Sequence, residues 1–267
     1  MIADFRGSVV LVTGGTMGVG LATALAFAAR GAECWLTYRW GSADERRVCD
    51  TFAQIGGPKP RIVQSDVARS DERDALLEEM RRHHPQVDVL ISNVTAAPVV
   101  NSLDDYTLRG LQKTIEYSAW PLVEYTRGIK ANFGRYPRYV IGLSSTGVDS
   151  FALGYDFVAA SKAVLETLCR YMNYRLFDED IRINIIRSRG VRTASYVAHF
   201  GEDFDDFARR FTRERHYIEP EAVANAGVAL CSGLMDGVSG QVLTVDRGTS
   251  FFDNFMRLFE ERDELGL

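Results

Sequence analysis

The chain has no surplus of positive charge: 31 Lys and Arg stand against 36 Asp and Glu, a net charge of −5. A nucleic-acid-binding face needs clustered cations to neutralise phosphates, so no nucleic-acid partner is expected. Cysteine is scarce. Cys34, Cys49, Cys169 and Cys231 show neither metal nor redox spacing. They read as free structural thiols in a reducing compartment, with no metal site among them. No apolar run approaches the ~20 residues of a membrane span. The opening residues MIADFRGSVVLVTGG lack a basic segment followed by a long apolar stretch. No membrane partner is expected, and the chain reads as a soluble cytoplasmic protein. Repeats and low-complexity linkers are also missing.

What is present suits a globular α/β protein. Hydrophobic residues at 46% and charged residues at 25% are ordinary, and 267 residues fit one such domain, taken here as 1–267. Apolar runs at 8–13, 33–38, 61–66, 87–92, 138–144, 181–187 and 241–246 read as strands. Most are rich in Val, Ile and Leu with little alternation, as expected of parallel strands buried on both faces. Helical patterns lie between them, near 18–30, 43–54, 70–83, 104–133, 155–178 and 219–233. The alternation predicts a doubly wound, seven-stranded parallel sheet of the Rossmann kind.

Two stretches break the pattern. Residues 192–217 insert after the sixth strand and are dense in aromatic and charged residues. They fall beyond the C-terminal strand ends, where ligands bind in such sheets, and a substrate lid is expected there. The tail 251–267 carries phenylalanines suited either to closing a pocket or to joining a subunit interface.

Residues 13–20 read Thr-Gly-Gly-Thr-Met-Gly-Val-Gly, after the first strand and at the opening of a helix. Glycines let the backbone approach a pyrophosphate, and the helix N-terminus stabilises its charge. Gly14, Thr16, Met17, Gly18 and Gly20 are therefore expected to bind a dinucleotide. The second strand ends Thr37-Tyr38-Arg39-Trp40, without the acid that an NAD site places against the ribose hydroxyls. Arg39 offers a planar fork of donors to a 2′-phosphate. Arg39 or Trp40 also suits stacking on adenine. NADPH is the expected cofactor, with NADH as the other possibility.

These motifs resemble the short-chain dehydrogenase/reductase family, over roughly residues 7–250. The resemblance implies an adenine contact at Asp66 and Val67, and a cofactor contact at Asn93, within Ser92-Asn93-Val94-Thr95. It places Ser145 at the position of the family's catalytic Ser and gives Lys162 a cofactor-ribose contact and a field that lowers a nearby hydroxyl pKa. The family's catalytic Tyr stands four residues before the Lys, and here that place holds Val158. Tyr155 stands seven residues before Lys162, almost two helical turns away and on the same helix face. Tyr-x6-Lys is the arrangement of the enoyl-acyl-carrier-protein reductase branch, which residues 144–246 resemble most. Gly190, Val191 and Thr193 suit contacts with the nicotinamide carboxamide. Ser118 takes the place of the family's relay Asn, Arg189-Gly190 replaces Pro-Gly, and Arg247 replaces a Gly.

Cofactor residues are thus kept and proton-delivery residues are altered. Trp120, Phe151, Phe157, Tyr196, Phe200 and Tyr217 offer flat apolar walls for a bulky aromatic substrate. The first expectation is an NADPH-dependent ketoreductase acting on an aromatic polyketide-type ketone, a pattern that resembles antibiotic-tailoring ketoreductases. A hydroxyl beside the ketone would stabilise the nascent alkoxide and tolerate loss of the usual Tyr. The second is an enoyl thioester reductase using Tyr155 and Lys162. The third is an NADP(H)-binding regulator. The resemblance also implies a homo-oligomer, dimer or tetramer, formed through the helices near 104–133 and 155–178.

Overall fold

The structure, a computed structural model, describes residues 3–39, 43–193, 196–197 and 200–267. Trp40, named above as a possible adenine platform, lies outside the described residues, as do 194, 195, 198 and 199 of the expected lid.

Among the described residues, seven strands form one sheet: β1 (Val9–Val12), β2 (Glu33–Tyr38), β3 (Arg61–Gln64), β4 (Val89–Ser92), β5 (Tyr139–Ser145), β6 (Arg182–Ser188) and β7 (Val242–Val245). Their spatial order is β3-β2-β1-β4-β5-β6-β7, and every neighbouring pair is parallel. The order reverses between β1 and β4, which opens a crevice at their C-terminal ends. Both faces of the central strands are covered, which explains their unbroken apolar runs, while the edge strands β3 and β7 are partly exposed. Val10 and Val12 belong to the core on one face, with Phe27 of α1 (Gly18–Ala28) and Phe52 of α2 (Glu45–Gln54). Val9 and Leu11 belong to the other, with Leu77 of α3 (Ser70–His83).

The long helical pattern near 104–133 is two helices, α4 (Leu108–Ser118) and α5 (Trp120–Phe133), which meet at Ala119. Pro121 is the cause. It sits in the first turn of α5, where its missing N–H costs nothing, and it cannot continue a helix from α4. Helix α6 (Asp156–Arg175) packs against α4.

The insertion after β6 carries α7 (Glu202–Phe211), and a bridge between Val191 and Ile218 closes its base. Asp205 of α7 is buried and receives two hydrogen bonds from Arg192, at 3.1 and 2.6 Å. Beyond it, α8 (Pro220–Leu230) packs on α1. The tail forms α9 (Asn254–Leu265), whose buried Glu261 faces Arg213, His216 and Arg257. The tail therefore clasps the foot of the insertion, while Phe251, Phe255 and Phe259 stand exposed. No helix among the described residues is long and apolar enough to cross a membrane.

Candidate active site

The glycine-rich turn is held open by its neighbours. Gly14 and Gly18 have φ of +64° and +54°, a region that L side chains avoid. A Cβ on Gly20 would lie 2.3 Å from the Gly14 carbonyl oxygen, so only glycine fits. Asn93, just past β4, donates its side-chain amide to the carbonyls of Thr13 (3.0 Å) and Gly14 (2.9 Å). Its backbone N–H donates to Thr13 Oγ1 at 3.0 Å. Asn93 thus braces the turn from the neighbouring strand, across the crevice. Helix α1 starts here with Met17 as an N-cap that makes no side-chain cap. The first-turn amides and the helix dipole suit an anion. Thr16 is buried and Met17 exposed.

The loop after β6 meets this turn. Gly190 has φ of +67°, and its carbonyl accepts the Ile218 N–H. Val191 makes the bridge to Ile218, and Thr193 packs beside Gly18, 3.7 Å from where a Cβ there would sit.

At the end of β2, Arg39 pairs with Asp66 (Nε to Oδ2, 3.0 Å) and lies over the Tyr117 ring at 4.8 Å. Tyr117 donates its hydroxyl to the same Asp66 oxygen at 3.0 Å. The other Asp66 oxygen accepts the Ala68 N–H, and Val67 is buried beside it. Sequence reasoning missed Tyr117, whose position on α4 carries no local signal. Ser118, in place of the family's relay Asn, is buried and accepts the Ala96 N–H at 3.2 Å.

At the end of β5, Ser145 accepts the Gly147 N–H at 3.3 Å, and the Tyr155 side chain lies beside it. The Tyr155 ring packs on Gly147, where a Cβ would come within 2.7 Å of it. The ring also stacks on Phe200 of the insertion, at 6.3 Å with planes 20° apart. Burial raises the Tyr155 pKa, and the neighbouring Ser145 hydroxyl partly opposes that rise. Tyr155 lines a cleft with Gly147, Asp149, Phe151 and Ala159.

Val158 is buried, so no hydroxyl replaces the missing Tyr at that place. Lys162 is also buried, and desolvation pulls its pKa down to about 7, with the nearby Glu166 charge pushing it back up. The Glu166 carboxylate is buried and fully engaged. Ser144 donates to Oε1 at 2.6 Å, Arg187 Nε to the same oxygen at 3.0 Å, and Arg187 Nη2 to Oε2 at 2.5 Å. Arg187 also donates to Asp149. This cluster was missed in the sequence, although a charge inside the apolar run of β6 was its visible signal.

The aromatic residues divide. Phe151 is exposed at the cleft, and Tyr196, Phe200 and Phe204 form a cluster with centroids 5.0 to 6.3 Å apart. Burial pushes the Tyr196 pKa up to about 12. Phe157 does not join them. Two residues past Tyr155, it points to the opposite helix face and packs against Tyr106 (5.3 Å) and Gly110 of α4. Trp120 is exposed at the start of α5 and does not line the cleft that Tyr155 lines, and Tyr217 is buried beneath the Arg192 guanidinium.

Residues 14–250 match the family model described as enoyl-(acyl carrier protein) reductase. The NADH-dependent enoyl-[acyl-carrier-protein] reductase FabI of Escherichia coli strain K12 is 28% identical over 252 residues, 91% of this chain and 94% of that one. The 3beta-hydroxysteroid dehydrogenase 1 of Eggerthella lenta is 28% identical over 262 residues, 96% of this chain and 98% of that one. Among solved structures, a 7 alpha-hydroxysteroid dehydrogenase complexed with NADH and 7-oxo glycochenodeoxycholic acid superposes with a TM-score of 0.80. It is 24% identical and covers 92% of this chain and 95% of its own.

Proposed function

This chain belongs to the enoyl-(acyl carrier protein) reductase family of short-chain dehydrogenase/reductases, and from that premise we propose that it is an NADPH-dependent ketoreductase acting on a bulky aromatic polyketide-type ketone. An antibiotic or other secondary-metabolite pathway would use such a step. Enzymes named for steroids among the relatives support a bulky polycyclic substrate.

One observation carries the reading. Tyr155, the tyrosine nearest the family's catalytic place, is set against giving up its proton: its ring is packed on Gly147, and burial raises its pKa by more than the neighbouring Ser145 hydroxyl lowers it. With Val158 buried, protonation falls to the substrate or to water. A ketone bearing a neighbouring hydroxyl meets that need through its own hydrogen bond. Ser145 would hold the carbonyl oxygen, and Tyr155 would orient Ser145 and form the floor of the slot. Phe200, Tyr196 and Phe151 would hold the flat substrate, with 192–217 acting as its lid.

The cofactor fits the residues present. Gly14 and Gly18 hold positive φ and a Cβ on Gly20 would meet the Gly14 carbonyl, so the cradle disfavours side chains, and the α1 N-terminus would face a pyrophosphate. Arg39 would take the 2′-phosphate while Asp66 and Val67 border the adenine. Asn93 braces the cradle, Lys162 would hold the nicotinamide ribose, and Gly190, Val191 and Thr193 would border the carboxamide. NADH is the alternative, as in the enzymes named with it. When bound, the dinucleotide supplies the hydride.

A second reading, enoyl thioester reduction, is favoured by the family description and by Tyr155-x6-Lys162. In it Tyr155 would stabilise an enolate. A homo-oligomer is proposed through α4, α5 and α6, whose Leu108, Trp120, Tyr171 and Tyr174 are exposed; light scattering tests it. The function is tested by NADPH oxidation with a hydroxylated polycyclic aromatic ketone and with a trans-2-enoyl thioester. An alcohol from the ketone and no reaction of the thioester is expected. A saturated thioester with an untouched ketone overturns the proposal in favour of the second reading.

A further inference from the structure

The buried charges beside Lys162 have a geometry that the reaction sketched above does not use. Arg187 sits on β6 directly opposite Ser144 of β5. Two of its nitrogens hold the Glu166 carboxylate on α6, and the third reaches Asp149. One guanidinium therefore ties three elements: the strand it grows from, the helix that carries Lys162, and the loop that follows Ser145.

That loop matters because of what it touches. Residues 147–152 line the cleft with Tyr155. Gly147 supports the Tyr155 ring and donates its N–H to Ser145. Internal support comes from the Asp149 and Ser150 amides, which both donate to the Thr146 carbonyl. Asp149 itself is 66% exposed in its side chain, while those of Arg187 and Glu166 are 14% and 4% exposed. The tether thus runs from a buried, rigid anchor to an exposed loop. Buried ion pairs contribute little net stability over well-packed apolar side chains, whereas a planar fork satisfied on three sides fixes geometry.

We propose that Arg187 is a positioning residue: anchored on Glu166, it holds Asp149 and so fixes the loop that sets the Ser145–Tyr155 pair against the cleft. The role in turnover rests on the reductase reading of that pair; the tether does not.

The test uses the full-length protein with Asp149→Asn, Asp149→Glu and Arg187→Lys. Asp149 is exposed, so its variants should fold. Lysine at 187 keeps the charge but cannot span both carboxylates. Hydrogen exchange is read at residues 146–152, and steady-state reduction is read with NADPH affinity measured separately. Asp149→Asn and Arg187→Lys should speed exchange in 146–152 by about tenfold or more, with β5 and α6 amides unchanged. They should lower kcat by roughly 10- to 100-fold without changing NADPH affinity, and Asp149→Glu should restore both readouts. Unchanged exchange in 146–152 overturns the tether. Faster exchange with unchanged kcat overturns the positioning role. If the wild type reduces no carbonyl, the reductase reading fails alone, and exchange still decides the tether.

Discussion

Ser145 and Tyr155 lie side by side across the turn between β5 and α6, both against Gly147. The pair sorts the two reactions. In the ketoreductase, Ser145 faces the substrate oxygen and Tyr155 orients it, so Tyr155→Phe should lower kcat by less than about tenfold. Ser145→Ala removes an oxyanion donor and should cost about 10²–10³. A Tyr155→Phe loss of about 10²–10⁴ would instead make Tyr155 the proton donor and support the enoyl reductase. The measurement is kcat for both variants with the ketone and with the thioester.

Arg39 is paired with Asp66 at 3.0 Å and rests on the Tyr117 ring. A 2′-phosphate would compete with Asp66 for the guanidinium. Arg39→Ala should raise the NADPH Kd by about 10- to 100-fold, the worth of a charge-assisted hydrogen bond, and leave NADH nearly unchanged. Equal losses for the two dinucleotides, measured by fluorescence titration, would refute the phosphate assignment.

Gly20 faces backbone, which cannot step aside. A Cβ there would meet the Gly14 carbonyl oxygen at 2.3 Å and the Asn93 amide at 2.6 Å. Gly20→Ala should abolish dinucleotide binding by isothermal titration and destabilise the protein by about 1–3 kcal/mol. Binding at wild-type affinity would show that the turn is not the pyrophosphate cradle.

The sheet was legible in the sequence because its central strands, buried on both faces, read as continuous apolar runs, and all seven strands, the partly exposed edges β3 and β7 included, are where they were expected. The break between α4 and α5 was less so: the helical period runs on across Ala119, and only Pro121 marks the junction. At the site, Ser145 and Tyr155 meet, as do Arg39 and Asp66, although each of these pairs is separated in the chain. Phe157 packs on α4 rather than beside Tyr155, because an aromatic residue near a motif says nothing about which helix face it occupies. Arg187, Glu166 and Asp149 were invisible as a unit because they come from a strand, a helix and a loop. Their pairing depends on the β5–β6 register, which composition does not encode.

Lys162 gives the site a signature in stability. In the unfolded chain its ammonium has the ordinary lysine value of 10.5, and burial in the fold pulls it down to about 7. Below pH 7 it is charged in both states, and the full cost of burying that charge is present. Between about pH 7 and 10.5 the unfolded chain holds a proton that the folded protein has released, so stability rises with pH. The slope is at most about 1.4 kcal/mol per pH unit for one proton. Lys162→Met has no charge to bury and should lose this rise. Buried tyrosines and thiols with raised pKa values act in the opposite direction at alkaline pH, so the quantity to read is the difference between wild type and variant. Urea unfolding at several pH values from 6 to 9.5 measures it. A difference that stays constant from pH 7 to 9.5 would mean that Lys162 keeps its proton in the fold, and that Glu166, rather than desolvation, dominates its charge state.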